Sequence, residues 1–282
     1  MKNIVVGIDF SKNSLNALKH AVAIGLKTKG TLHLVWVKTP AVSNEIAKKS
    51  ASSYTKRAEE YLQHLKAECK AEAPECTVNC IILEGKPAYE LTKFAANLQN
   101  SILVMGTHGA SGFEEAFIGS NAFKTIALTE VPVLIIRENI EINRDLTQIL
   151  VPIDSSFETL QKMKHAIKFA KAFSAKMLLL GINTSENPEL RHIINVQLGH
   201  ASAMCDKANV RYDVHTIAVK TSTTKAVVDY AKSVDVNLFV IMREEEDDMT
   251  NFWMGSATRQ MINTSPVPML IIPNVNHFAV SK

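Results

Sequence analysis

Cysteine, tryptophan and long apolar runs are what this chain has little of. Four cysteines (Cys69, Cys76, Cys80, Cys205) among 282 residues are no disulfide framework. Cys76 and Cys80 lack the CxxC spacing and the second pair that a structural zinc site uses. The N-terminal stretch before Asp9 holds a run of five apolar or glycine residues (Ile4–Ile8), far short of a signal-peptide core or a membrane span. A cytoplasmic protein is the simplest expectation. The net charge is only +3, and the basic residues are scattered, with no run beyond Lys48-Lys49. That excludes the basic stripe of a nucleic-acid binder. No lysine of the GK[S/T] type follows a glycine loop, and neither Gly-x-Ser-x-Gly nor HExxH occurs. Walker-type phosphoryl transfer, serine hydrolysis and zinc proteolysis are thereby excluded as motif-borne functions.

What is present is an ordinary core and a duplication. Hydrophobic residues make up 46% and charged residues 21%, enough to bury a core. The length suits two domains of about 140 residues. Residues 4–37 laid over 149–182 without a gap give ten identities in 34 positions, IVVGIDFS falling on ILVPIDSS. Residues 102–136 lie over 238–272, where Gly119-Ser120 falls on Gly255-Ser256 and VPVLII on VPMLII. The second copy is shorter by nine residues between its second and third strands. The two copies occupy 1–138 and 146–282, joined by the polar stretch 137–146.

Each copy alternates near-continuously apolar strands with amphipathic helices. In the first, strands are predicted at 3–8, 31–37, 77–83, 101–105 and 131–136, and helices at 14–28, 44–70, 88–98 and 121–129. Ser11 is a candidate N-cap, and Gly85 with Pro87 closes the third strand. In the second copy the strands are predicted at 148–153, 176–182, 211–219, 236–241 and 267–272. This pattern predicts an α/β protein of two tandem Rossmann-like domains, each a five-stranded parallel sheet with helices on both faces. Pro132 and Pro268 fall at the starts of the last strands, where proline is tolerated. Those two short apolar strands would be aggregation-prone if both stayed exposed.

One stretch carries most of the chemistry. The apolar run Ile102–Met105 reads as a buried strand ending at Gly106, with Gly109 three residues on and Gly119-Ser120 opening a helix. A strand, a glycine loop and a helix start form a phosphate-binding arrangement, because backbone N–H groups can approach an anion and the helix dipole favours it. Asp9, Val37 and Met105 end strands one, two and four, so they converge on one crevice at the carboxyl ends of the sheet. There a carboxylate can accept from a base or sugar, and apolar side chains can sandwich a base.

The spacing G-x2-G-x9-G-[S/T], with the words VMGTHG, GSNAFKTI and VPVLIIR around it, resembles the ATP-binding motif of the universal stress protein family, tandem type. The resemblance implies an adenine nucleotide alpha hydrolase-like fold in each half. It implies a nucleotide site at Asp9, Phe10, Ser11, Val37, Met105, Gly106, Gly109, Gly119, Ser120 and Asn121, taking ATP with or without Mg2+. It also implies a stress-related regulatory role and a pseudo-dimer in which the halves pair through their last strands, with a further homodimer open. Family members often carry a basic residue after the second glycine, whereas here Ala110 follows, with Glu114 and Glu115 close behind. Counter-charge then falls to Lys12, Lys124 or Mg2+. A scaffold of the same fold that takes no nucleotide, and a slow ATP-hydrolysing enzyme, are the alternatives.

The second copy departs from the motif. Met242 and Glu245 replace Gly106 and Gly109, and five acidic residues (Glu244–Asp248) stand where phosphates would lie. Like charges of that density disfavour an anion, so this half is expected to bind no ATP in the usual way, although Asp154, Gly255 and Ser256 persist. The acidic run reads as a solvated loop in preference to a cation site. His20 and His165 recur at equivalent helical positions, which a duplicated packing role explains, and His108 reads as a backbone-positioning residue in the glycine loop.

Overall fold

The structure is a computed structural model that describes residues 1–39, 45–107, 118–138, 140, 146–220, 222–243 and 255–274; of 45–53 only the helical backbone is described. The first half runs β1 (Asn3–Ile8), α1 (Lys12–Thr28), β2 (Thr31–Lys38), α2 (Glu45–Glu72), β3 (Thr77–Glu84), α3 (Pro87–Ala96), β4 (Ser101–Gly106), α4 (Ser120–Leu128) and β5 (Val133–Ile136). The second runs β6 (Gln148–Ile153), a 3-10 turn (Phe157–Leu160), α5 (Met163–Phe173), β7 (Lys176–Asn183), α6 (Pro188–Ala208), β8 (Tyr212–Ala218), α7 (Thr223–Ser233), β9 (Leu238–Met242), α8 (Ser256–Thr264) and β10 (Met269–Ile272).

All ten strands join one sheet in the order β3-β2-β1-β4-β5-β10-β9-β6-β7-β8. Within each half every pairing is parallel, and the halves meet where β10 runs antiparallel to β5 with Leu270 opposite Leu134. The two strands whose exposure would be hazardous therefore cover each other. Each begins one residue after its proline. Lacking an N–H, Pro132 and Pro268 join the ladder only through their carbonyls, which accept from Leu103 N (2.9 Å) and Phe239 N (3.0 Å).

Alternation along the strands divides the core into two layers. Ile4, Val6, Leu34 and Val104 face α1 and α2, with Val151 and Leu179 continuing that layer toward α5 and α6. Val5, Val35, Val37, Leu103 and Met105 face α3 and α4, where Leu91, Ala122 and Ile126 cover them. Ser11 caps α1, its side chain accepting from Ser14 N, and α1 begins at Lys12, two residues before the expected start. The second half departs at the equivalent point. Its chain makes the 3-10 turn first, and α5 starts only at Met163.

Candidate nucleotide crevice

The carboxyl ends of β1, β2 and β4 and the start of α4 enclose a crevice of about 300 Å³, at the lower end of the range for small-molecule sites. Seven of the ten sequence-predicted residues line it: Asp9, Val37, Met105, Gly106, Gly119, Ser120 and Asn121. Val37 and Met105 present apolar walls from β2 and β4, on either side of β1, in the α3/α4 layer. At the other end lies the first turn of α4. Its N-cap is Gly119, which supplies no side-chain cap. The first helical bond runs from Phe123 N to Gly119 O (2.9 Å), and Gly119 N is tied to Thr107 O at 2.7 Å. The N–H groups of Ser120, Asn121 and Ala122 thus precede the helical ladder, and all three residues line the crevice. Together with the helix dipole they can receive an anion.

Phe10 and Ser11 lie outside that lining. Phe10 takes a left-handed backbone (φ 65°), uncommon for a bulky residue. Its ring packs on Trp36 (6.0 Å between centroids) and Tyr61 (5.3 Å), toward α2. Ser11 is engaged as the cap of α1. Its N–H and hydroxyl both donate to Asp9 Oδ1, at 3.0 and 2.6 Å. Asp9 N in turn donates to Ser14 Oγ at 3.3 Å. The same turn recurs in the second half, where Ser156 N and Oγ donate to Asp154 Oδ1 and Asp154 N donates to Thr159 Oγ1. The Asp-x-Ser pair is therefore a local turn in both copies, whatever Asp9 does for a ligand. Gly109, His108, Ala110, Glu114 and Glu115 lie outside the described residues, as does the acidic run 244–248.

Gly106 has a packing reason to be glycine. A Cβ there would stand 2.9 Å from Asn13 Cβ and 3.0 Å from the Asn13 backbone, so the first turn of α1 rests directly on the end of β4. The second half changes both partners. Met242 packs against the α5/α6 layer, and the helix start that would collide with it has been replaced by the 3-10 turn. Pro152 stands where Gly7 lines the first crevice. Lys162 replaces the buried Ala17 and is itself only 3% exposed. Its ammonium donates to Thr159 Oγ1 at 3.0 Å. Burial pushes its pKa down to about 8, against the opposing pull of Asp154. Partial burial raises the Asp154 carboxyl, but Lys162 and the Ser156 hydrogen bonds outweigh it and leave the group below its ordinary value.

Sequence reasoning missed Gly7, Trp36, Pro87, Leu91 and Thr107 in the lining. Gly7 and Pro87 carried a signal, a glycine inside a strand and a proline opening a helix. Thr107 did not, being an ordinary residue beside a glycine. Lys12 and Lys124 are exposed and outside the lining. His20 and His165 are held neutral-leaning by their surroundings. Burial lowers both, and Lys168 and Lys164 add to it for His165, whose pKa falls to about 4. Burial raises all four thiols, Cys69 to about 12, which suits packing and not redox chemistry. Among the described residues no cluster of His, Cys, Asp and Glu could hold a metal ion, and no helix is long and apolar enough to cross a membrane.

Comparison with known proteins agrees with this architecture. A universal stress protein of Methanocaldococcus jannaschii is 31% identical over 144 residues, covering 49% of this chain and 82% of its own length. One from Bacillus subtilis is 28% identical over 147 residues, covering 48% and 97%. The crystal structure of a universal stress protein from Archaeoglobus fulgidus superposes over 96% of both chains with a TM-score of 0.76 at 19% identity. The model of the universal stress protein family matches twice, over residues 1–137 and 146–273. With two consecutive matches that between them span nearly the whole sequence, and one parallel α/β unit under each, the chain belongs to the universal stress protein family.

Proposed function

We propose that the N-terminal crevice binds an adenine nucleotide, ATP in the first place, alone or with Mg2+, and that occupancy regulates what the protein engages under stress. The observation that carries this reading is the uncapped first turn of α4, whose Ser120, Asn121 and Ala122 N–H groups open into a crevice walled by Val37 and Met105. Phosphate fits the helix end, a planar base fits the apolar walls, and Asp9 at the mouth can accept from the sugar or base. The residues for fast phosphoryl transfer, positioned cations and a group to orient water, do not stand in the described lining. The function is therefore binding, with at most slow turnover. The C-terminal half, with Pro152, Met242 and buried Lys162 in place of Gly7, Gly106 and Ala17, is proposed to bind no ATP and to serve as a scaffold.

The test is to denature protein purified without added nucleotide, identify what is released by mass spectrometry, and titrate emptied protein with ATP with and without Mg2+. One nucleotide per chain is expected. Two per chain would overturn the reading of the C-terminal half, and none by either route would leave a scaffold that takes no nucleotide.

A further inference from the structure

We infer that Arg243, a residue of the C-terminal half, is a positioning residue for the nucleotide crevice of the N-terminal half, an inference that rests on the nucleotide reading above. Arg243 immediately follows β9, at the position that Thr107 holds after β4. The two backbones are fixed alike, Thr107 N donating to Ile136 O and Arg243 N to Ile272 O. The side chains are not alike. From its place beside the junction strand β10, Arg243 reaches across to the first half, where the two N–H groups of Nη1 are shared among Ile126 O (3.1 Å), Ala127 O (3.0 Å) and Thr129 O (2.9 Å).

Those carbonyls are the C-terminus of α4. The last carbonyls of a helix have no partner within it, and a cation there also complements the dipole. In α4 the Thr129 N–H already serves Thr125 O, and the guanidinium takes three of the groups that follow. This helix has nine residues, too few to persist by propensity alone. Its order comes from packing and from its ends. One end seats the phosphates; the other, about 13 Å along the axis, is held by the opposite half. A short helix frays from a free end, and fraying here loosens the N–H groups that the ligand uses.

The reciprocal contact is weaker and falls on the half expected to hold no nucleotide. Arg137, just after β5, donates from Nη1 to Ser265 O at 3.2 Å, at the C-cap of α8. It is a built-in control, a cross-junction arginine on the matching helix of the degenerate copy. The loss of the glycine motif and the gain of Arg243 thus occur in one segment. The C-terminal half contributes to the site in the other half in place of keeping its own.

The experiment compares the parent full-length chain with Arg243→Ala, Arg243→Lys and Arg137→Ala, measuring ATP affinity by calorimetry and hydrogen exchange of the α4 amides without ligand. Arg243→Ala is expected to weaken ATP about tenfold and to speed exchange in α4. Arg243→Lys, which keeps the charge but replaces the planar guanidinium with a more strongly hydrated ammonium, should fall between, and Arg137→Ala should bind as the parent does. Equal affinity in the parent and in folded Arg243→Ala would overturn the inference alone, and so would an equal loss in Arg137→Ala, since that would mark general loosening of the junction. If Arg243→Ala does not fold, Arg243→Lys decides, and parent-like affinity with parent-like exchange overturns the inference. A parent that takes up no ATP removes the nucleotide reading and this inference with it.

Discussion

Lys162 shows how much a single side chain can change in one copy of a duplicated fold. Its ammonium is buried where the first half keeps Ala17, and burial lowers its pKa to about 8 from an ordinary value near 10.5. The unfolded chain therefore binds more protons than the folded one between about pH 8 and 10.5, so this group makes stability rise with pH across that window. Replacing it with methionine removes the buried charge, and Asp154 keeps its hydrogen bonds from Ser156 N and Oγ. We expect Lys162→Met to be more stable than the parent by roughly 1–3 kcal/mol at pH 7, with the gain fading by pH 10.5. Denaturant unfolding at a series of pH values measures it, and an equal gain at every pH would mean that charge burial is not the cause.

At the scale of elements, the contact between α1 and β4 decides what the glycine at the end of β4 is for. From the motif alone, Gly106 reads as a residue that lets an anion approach; in the fold it is also the floor on which Asn13 sits. Gly106→Ala forces a Cβ into backbone, not into the end of a flexible side chain, and should cost about 1–3 kcal/mol of stability without any ligand. Urea unfolding of nucleotide-free protein checks this. Unchanged stability with weakened ATP binding would assign the glycine to the ligand instead. The second half supports the packing account, because Met242 and a delayed helix start occur together there.

Over the whole molecule, the junction of β5 and β10 turns two five-stranded units into one sheet. Leu134 and Leu270 face each other across it, 2% and 0% exposed. Leu270→Ala should cost about 2–5 kcal/mol. Because the sheet, the Arg243 contacts and the Arg137 contact all cross this line, the cost should appear as one earlier unfolding transition and not as the loss of one half. Tryptophan fluorescence with circular dichroism follows it. Two separated transitions would show that the halves fold independently.

The duplication, the α/β class and seven of the sixteen crevice residues were legible in the sequence, for a common reason. Identical words at constant offset, apolar runs at strand length and the glycine spacing are local signals that chemistry imposes on neighbouring residues. Asp9, Val37, Met105 and Gly106 could be named because topology sends the ends of β1, β2 and β4 to one place, and Gly119, Ser120 and Asn121 because the glycine spacing marks the start of α4. Phe10 and Ser11 went elsewhere because left-handed backbone and helix capping depend on local geometry that a motif does not spell out. Tertiary structure alone decided the rest. It set Asn13 against Gly106, buried Lys162 beside Thr159, and carried Arg243 to the far end of α4. Each joins residues distant in the chain or placed by a helix start, where reach, clash and desolvation follow from three-dimensional proximity and leave no trace in spacing.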